Sequence, residues 1–278
     1  MEYQEFLHQK MQEGELHGFP PIFTPSFLFD FQAALIDWSV RKGRAAIFAD
    51  CGLGKTPIQL VWAENISRKT RKRVLILTPL AVASQTVQEG VKFGIDCQRS
   101  HKGELHRITV TNYERLHQFN PADFAGVVCD ESSILKNFKG TLKNDITQFM
   151  RKVPYRLLVT ATPSPNDFDE LGTSSEALGY LGYMDMLNRF FKNEQNTSKV
   201  GRFCGQSVKW RLKGHAENEY WKWLASWAVM MQKPSDLGYN DDGFILPKLN
   251  YHEHIVNSDS NVEFNLFSKE AKTLLERR

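Results

Sequence analysis

Apolar residues along the chain fall into short continuous runs, separated by segments with helical spacing. The β-rich runs are Ala45–Ala49, Val74–Thr78, Ile108–Val110, Val127–Cys129 and Leu157–Ala161. The helix-compatible segments are Phe29–Val40, Pro57–Lys69, Val82–Phe93, Tyr113–Gln118 and Leu142–Met150. Apolar strands that alternate with helices predict an α/β fold, in which helices cover both faces of a parallel sheet.

The first apolar run leads directly into a glycine-rich turn, Asp50-Cys51-Gly52-Leu53-Gly54-Lys55-Thr56. Such a turn lets backbone N–H groups and a helix N-terminus surround a polyphosphate. Lys55 would reach the β- and γ-phosphates, and the Thr56 hydroxyl would ligate Mg²⁺. The predicted nucleotide-binding residues of this turn are Gly52, Leu53, Gly54, Lys55 and Thr56. The usual pattern has a glycine where this chain has Ala49.

A second apolar run, Gly126–Cys129, ends in two carboxylates, Asp130 and Glu131. Ligands of parallel sheets lie at the carboxyl ends of strands, where both motifs fall. In a nucleotide site Asp130 would hold Mg²⁺ and Glu131 would orient the attacking water. Taken alone, the two carboxylates could be a solvated strand end. Together with the turn they predict a nucleoside triphosphatase, with Glu131, Lys55 and Asp130 as its catalytic residues.

Length and composition are those of an ordinary globular protein. The chain has 278 residues, of which 41% are hydrophobic and 24% charged, enough for one large core or one domain with appendages. Neither a bilayer-spanning apolar run nor a signal-peptide pattern occurs, so we expect no membrane association. The cysteines are Cys51, Cys97, Cys129 and Cys204. Their unpaired spacing favours reduced thiols in the cytoplasm.

Positive charge is concentrated between residues 189 and 213, although the net charge is only +3. Its basic residues are Arg189, Lys192, Lys199, Arg202, Lys209, Arg211 and Lys213, against one acid, Glu194. Alternation over Val208–Leu212 predicts a strand with Lys209 and Arg211 on one face and a buried Trp210 on the other. A helix is predicted over Asn218–Met231. The segment is either a nucleic-acid contact or a solvated face with its aromatic residues in a small local core.

The two nucleotide motifs belong to a series of six that resembles the superfamily-two helicase-like ATPases, closest to the Swi/Snf-related DNA translocases. Phe29–Trp38 resembles the opening motif, Asp50–Thr56 the phosphate loop, and Asp130–Ser133 with Leu135-Lys136-Asn137 the Asp-Glu box. Leu77–Leu80 and Thr109–Glu114 resemble the segments that touch the nucleic-acid backbone. Val159–Asp167 is similar to the motif that couples the ATP site to nucleic acid. All six lie in the family's order.

The resemblance implies a role for each matched residue. Gln32 would read the adenine, and Thr160 and Thr162 would couple the two sites. The implied nucleic-acid contacts are Thr78, Pro79, Thr111 and Asn112, joined by Lys209 and Arg211 because the family places DNA-binding protrusions after the coupling motif. The implied cofactors are ATP and Mg²⁺. The implied partner is duplex DNA, bound through its phosphates without sequence specificity.

The resemblance also implies a division of the chain. Residues 1–28 would be an N-terminal extension and 29–243 a first RecA-like lobe, with a basic insertion and helix over 189–231. Residues 244–278 would cross into a second lobe, since Leu246–Leu249 looks like the family's crossing. That lobe carries the arginine finger, so we expect a second lobe or a protein partner to complete the site. Ser132-Ser133 and Thr86 depart from many relatives and indicate a divergent bacterial or phage group.

Three functions stay open at this point. The chain could be the ATP-binding half of a duplex-DNA translocase, with weak hydrolysis in the absence of a second lobe. It could be a single-lobe module that binds ATP and DNA, or a partner, with little turnover. It could also belong to an RNA-directed helicase, which competition between duplex DNA and RNA would distinguish.

Overall fold

A parallel β-sheet forms the centre of the structure, a computed structural model that describes residues 16–136, 140–164, 168–194 and 209–244. The strands in these ranges are β1 (Arg44–Ala49), β2 (Arg73–Thr78), β3 (Gln98–Arg99), β4 (Ile108–Asn112), β5 (Phe124–Asp130), β6 (Tyr155–Thr160), β7 (Phe191–Glu194), β8 (Lys209–Leu212) and β9 (Ala228–Met231). Seven of them form the sheet, in the order β3-β4-β2-β5-β6-β1-β9. Every neighbouring pair is parallel. The predicted fold class is therefore confirmed.

Helices cover both faces of the sheet, as the alternation of strands and helices predicts. The α-helices in the described ranges are α1 (Asp30–Lys42), α2 (Lys55–Thr70), α3 (Ala83–Lys92), α4 (Thr141–Lys152), α5 (Leu171–Leu178), α6 (Tyr183–Phe190) and α7 (Glu217–Ala225). Side chains of α1, α2 and α3 share one core with Ala45, Ile47 and Ala49 of β1. Side chains of α4 to α7 share the other core with Ala46 and Phe48. Successive strand residues thus enter opposite cores, and both faces of the sheet are buried.

The helix-compatible segment Tyr113–Gln118 is a 3₁₀-helix. The sequence prediction was wrong at one element. The helix predicted over Asn218–Met231 ends with α7 at Ala225, and Ala228–Met231 is strand β9. The strand forms because these apolar residues pair with Ala46–Ala49 along β1, an interaction that local spacing does not reveal.

The basic segment contributes an antiparallel ribbon of β7 and β8. The strand predicted at Val208–Leu212 is present over Lys209–Leu212. Trp210 is half-buried, which corrects the prediction that it is enclosed. Phe190 and Phe191 pack against Tyr220 in the large core shared by α4 to α7, so these aromatic residues do not form a separate local core. Residues 195–208 of the segment lie outside the described ranges.

The described part of the N-terminal extension packs on the helices that lead to and from β1. The backbone N–H groups of Ile22 and Phe23 donate to Asn65 Oδ1 on α2. All described residues belong to one compact unit that ends at Phe244. The predicted crossing at Leu246–Leu249 lies beyond them. None of the helices in the described ranges has the length and apolar character required to span a bilayer.

Candidate nucleotide and nucleic-acid site

Strand order places the predicted nucleotide residues at one edge of the sheet. Strands β5, β6 and β1 are consecutive neighbours, and in register Asp130 pairs with Val159 and Phe48 with Thr160. The turn after β1, the carboxylates at the end of β5 and the threonine at the end of β6 therefore meet at the carboxyl ends of three adjacent strands. This is the edge at which parallel α/β sheets bind ligands.

The phosphate loop has the backbone shape that its glycines predict. Gly52 has a φ of 85° and Gly54 a φ of 72°, in the left-handed region. A Cβ at Gly54 would lie 2.3 Å from Gln32 Nε2, so a larger residue would be strained by its φ and would displace the Gln32 amide. Helix α2 begins at Lys55, and its first-turn N–H groups have no acceptor within the helix. This helix end, continued by the loop, suits an anionic phosphate.

Lys55 is folded onto its own loop. Its Nζ donates to the backbone oxygens of Ala49 and Asp50, at 3.1 Å each. The ammonium group therefore lies at the mouth of the loop, where a phosphate would compete with the two carbonyls for it.

Gln32 connects α1 to the phosphate loop. Its Nε2 donates to the Leu53 backbone oxygen at 3.1 Å, and its Oε1 accepts from Phe29 N at 3.2 Å. The side chain is buried. One N–H and one lone pair of the amide are thus used within the protein, and its contact with adenine stays a prediction.

Asp130 is a buried carboxyl group with 5% of its surface exposed. Burial raises the pKa of Asp130 to about 6, while the amide of Gln59 and the charge of Lys55 act in the opposite direction. An ion pair with a bound cation would offset the cost of burying this charge. Within the described ranges no cluster of three or more His, Cys, Asp or Glu side chains could hold a metal. A Mg²⁺ ion at Asp130 and Thr56 would therefore complete its oxygen shell with phosphates and water.

Glu131 is held by the residues predicted to couple the two sites. Its Oε2 accepts a hydrogen bond from Thr160 Oγ1 at 3.1 Å, and the same hydroxyl accepts from Thr162 N at 3.1 Å. Glu131 has a φ of 52°, in the left-handed region that non-glycine residues seldom adopt. The end of β6 thus contacts the carboxylate predicted to orient water.

The predicted nucleic-acid contacts after β2 and β4 reach the same edge, but their side chains are mostly buried. The Thr78 hydroxyl donates to Pro79 O and the Thr111 hydroxyl to Ser100 O, at 3.1 and 3.5 Å. Asn112 donates to the Glu114 carboxylate. Pro79 is half-exposed and Leu80 is 56% exposed. The loop after Thr78 is thus the exposed part of these predicted contacts, and the contact of both threonines with nucleic acid stays a prediction.

The ribbon contributes a cleft of about 790 Å³, lined by Phe168, Trp210, Arg211 and His215 among others. Arg211 is exposed on β8. Lys213 instead donates to the Asn188 and Arg189 backbone oxygens at the end of α6, at 2.8 and 3.2 Å. A second cavity, of about 580 Å³, lies at the ends of β1, β6 and β9 and also includes Phe168. Cationic and aromatic side chains therefore continue the edge that holds the nucleotide motifs.

Two residues near Asp130 were not singled out from the sequence. Gln59 is fully buried on α2, and its amide lowers the pKa of Asp130. Within the described ranges, however, neither the nitrogen nor the oxygen of this amide has a hydrogen-bond partner at ordinary geometry. Its spacing of four from Lys55, on the same helix face, is a signal that could have identified it. Tyr113 donates its hydroxyl to the Asp130 backbone oxygen. No local pattern predicts that contact, because in the sheet β2 lies between β4, which Tyr113 follows, and β5, which ends at Asp130.

Comparisons with known proteins agree with this geometry. No protein-family model matches the chain. Over 195 residues it is 29% identical to the uncharacterized ATP-dependent helicase YqhH of Bacillus subtilis, an alignment that covers 64% of this chain and 34% of that protein. The chain thus spans about a third of the length of this curated relative.

Among solved structures, the chain is similar to the SWI2/SNF2 ATPase core of Sulfolobus solfataricus in complex with double-stranded DNA. The TM-score is 0.58 at 19% identity, over 76% of this chain and 46% of that one. These comparisons confirm the predicted resemblance to superfamily-two helicase-like ATPases, and the chain shares the fold of a SWI2/SNF2 ATPase core.

Proposed function

We propose that this unit is the ATP-binding and ATP-hydrolysing half of a nucleic-acid-dependent motor that translocates along double-stranded DNA. The observation that carries the proposal is the meeting of Lys55, Asp130 and Glu131 at one sheet edge, with Glu131 hydrogen-bonded to Thr160.

The side chains would divide the work in hydrolysis. Lys55 and the N-terminus of α2 would hold the β- and γ-phosphates. Thr56 and Asp130 would hold Mg²⁺, which when bound neutralises phosphate charge. Glu131 would orient the attacking water, because its carboxylate is fixed from one side by Thr160 and lies next to Asp130.

Duplex DNA is the proposed track. A SWI2/SNF2 ATPase core of the same fold has been solved with double-stranded DNA. The Pro79–Leu80 loop follows the carboxyl end of β2. Arg211 lines the cleft that shares Phe168 with the cavity at the ends of β1, β6 and β9. Contacts from loops and basic side chains to phosphates carry no base information, so we expect binding without sequence specificity.

Binding of Mg-ATP is the first test, and titration calorimetry on the 278-residue chain measures it. Lys55→Ala should remove most of the affinity, because the ammonium group at the loop mouth is lost. Lys69→Ala, at the far end of the same helix, is the matched control and should bind as the wild type does. Absence of Mg-ATP binding by the wild type at near-millimolar nucleotide would overturn the proposal.

The nature of the track has its own test. Labelled duplex DNA bound to the chain is challenged with unlabelled duplex DNA, single-stranded DNA or RNA of matched length. We expect duplex DNA to be the best competitor. Ready displacement by RNA would instead identify an RNA-directed helicase.

A further inference from the structure

Given the proposed function, we propose that Tyr113 is a positioning residue that links the nucleic-acid contact at the end of β4 to the metal-binding carboxylate at the end of β5. Tyr113 follows Asn112 directly and begins the 3₁₀-helix after β4. Its side chain is 2% exposed. Its hydroxyl donates to the Asp130 backbone oxygen and lies 3.4 Å from Cys129 Sγ.

The link crosses an intervening strand. In the sheet β2 lies between β4 and β5, so backbone hydrogen bonds do not join the two strands directly. The phenol of Tyr113 reaches past the end of β2 to the last residue of β5. It therefore provides a direct contact between the predicted phosphate contact, Thr111-Asn112, and the proposed metal ligand.

The acceptor of this hydrogen bond belongs to a particular peptide group. The Asp130 carbonyl and the Glu131 N–H lie in one plane, because the peptide bond between them is rigid. Glu131 leaves that plane with a φ of 52°, a conformation that persists only where the surroundings hold it. By fixing the orientation of this peptide, the Tyr113 hydroxyl fixes the directions in which both carboxylates leave the strand.

The phenol is the donor in this contact. A carbonyl oxygen can only accept a hydrogen bond, so the buried Tyr113 O–H donates to the Asp130 carbonyl. A phosphate that shifts the end of β4 would shift this donor and the peptide with it. Such coupling is reciprocal, so bound nucleotide must change nucleic-acid affinity by the same factor.

The test compares Tyr113→Phe with Tyr180→Phe. Both changes remove a single hydroxyl. Like the Tyr113 hydroxyl, the Tyr180 hydroxyl donates to a backbone oxygen, in this case that of Arg44, at 2.7 Å. Arg44 lies at the amino end of β1, away from the proposed ATP site. The affinity of a fluorescent, non-hydrolysable Mg-ATP analogue is measured with and without saturating duplex DNA. The ratio of the two affinities is the coupling factor, an equilibrium quantity that does not depend on turnover.

We expect a wild-type coupling factor of about fivefold or more, at the lower end of typical allosteric coupling. Tyr113→Phe should bring it to within about twofold of unity, while Tyr180→Phe should leave it unchanged. Thermal unfolding of both variants separates positioning from stability. If Tyr113→Phe lowers the melting temperature as Tyr180→Phe does but keeps the coupling, the inference is overturned.

Two wild-type outcomes distinguish this inference from the proposed function. A wild-type chain that binds both the nucleotide and DNA without any coupling overturns the role of Tyr113 and leaves the ATP site standing. A wild-type chain that binds no nucleotide overturns the proposed function, and the role of Tyr113 with it.

Discussion

Asp130 is buried, yet the proposed reaction needs it ionised. In the ligand-free protein, burying this charge lowers the free energy of unfolding. Because its pKa is raised to about 6, the folded state favours the neutral form more than the unfolded state does. The stabilisation that the neutral carboxyl group gives the folded state is fully present below pH 4 and is lost as the pH rises through 6. A pKa raised from about 4 to about 6 corresponds to about 3 kcal/mol in the free energy of unfolding. Asp130→Asn should therefore stabilise the ligand-free protein by up to about that amount at pH 7, and by little at pH 4.

Urea unfolding at the two pH values measures this difference. Asp145→Asn, at an exposed position on α4, is the matched control and should change stability little at either pH. A gain for Asp130→Asn that is the same at pH 4 and pH 7 would show that the charge of Asp130 is not its cause.

Thr160 offers a second prediction at the residue scale. Thr160→Val keeps the shape of the side chain but removes the hydroxyl that donates to Glu131. It should lower the rate of ATP hydrolysis with little effect on Mg-ATP affinity, whereas Thr160→Ser should retain most of the rate. The Glu131→Gln variant should bind Mg-ATP but not hydrolyse it. Steady-state kinetics measures the rate and calorimetry measures the affinity. Equal rates for the Val and Ser variants of Thr160 would contradict its role.

Residue types and spacing were enough to identify the chemistry at the strand ends, but not the contacts that hold it. Lys55, Asp130 and Glu131 are local to motifs and could be predicted. The bond from Gln32 to Leu53 depends on how α1 packs against the loop. The burial of Thr78 and Thr111 likewise depends on neighbours distant in sequence, so the motifs alone do not reveal that their hydroxyls are bonded within the protein.

At the scale of elements, the ribbon of β7 and β8 carries the most direct test of the nucleic-acid track. Each phosphate neutralised contributes about −0.9 to the slope of log affinity against log salt. Changing Lys209 and Arg211 to glutamate should weaken duplex DNA binding and flatten this slope by about two, with Mg-ATP affinity unchanged. Fluorescence titrations over a range of salt concentrations measure both effects.

A matched charge reversal is available at the opposite edge of the sheet. Arg71 and Lys72 are exposed at the turn before β2, away from the nucleotide motifs. Changing both to glutamate alters the net charge equally but should leave the slope nearly intact. If the two double variants weaken binding alike, the effect is one of overall charge and the ribbon is not part of the track.

Elements with a strong local pattern were predicted, and those defined by distant pairing were not. The five strands with continuous apolar runs are all present. Strand β9 was predicted as the end of a helix, since Ala228-Val229-Met230-Met231 has no alternation of polar residues. Only its pairing with β1 makes it a strand. The two-residue β3 is too short to leave a sequence signal.

For the whole molecule, turnover should depend on a second lobe. An arginine finger contributes roughly 10³–10⁵ in rate where one is used, and in the resembling family the second lobe supplies it. The 278-residue chain should therefore hydrolyse ATP slowly, with little stimulation by DNA. Adding a second RecA-like lobe, in the same chain or as a partner, should raise the rate. A fast, DNA-stimulated rate from a monomer of this chain would contradict the prediction.

The position of β9 in the sheet means that a fragment must extend to residue 231 to keep every strand beside β1. The six motifs end by residue 167, so a fragment cut soon after them would keep every predicted nucleotide residue. It would lose Ala228–Met231, and β1 would become an edge strand with unpaired backbone groups along the side that β9 now covers. Exposed edges of this kind promote pairing between chains. The phosphate loop directly follows β1. Strand β9, which begins some 170 residues after the loop, thus protects β1 from pairing with other chains.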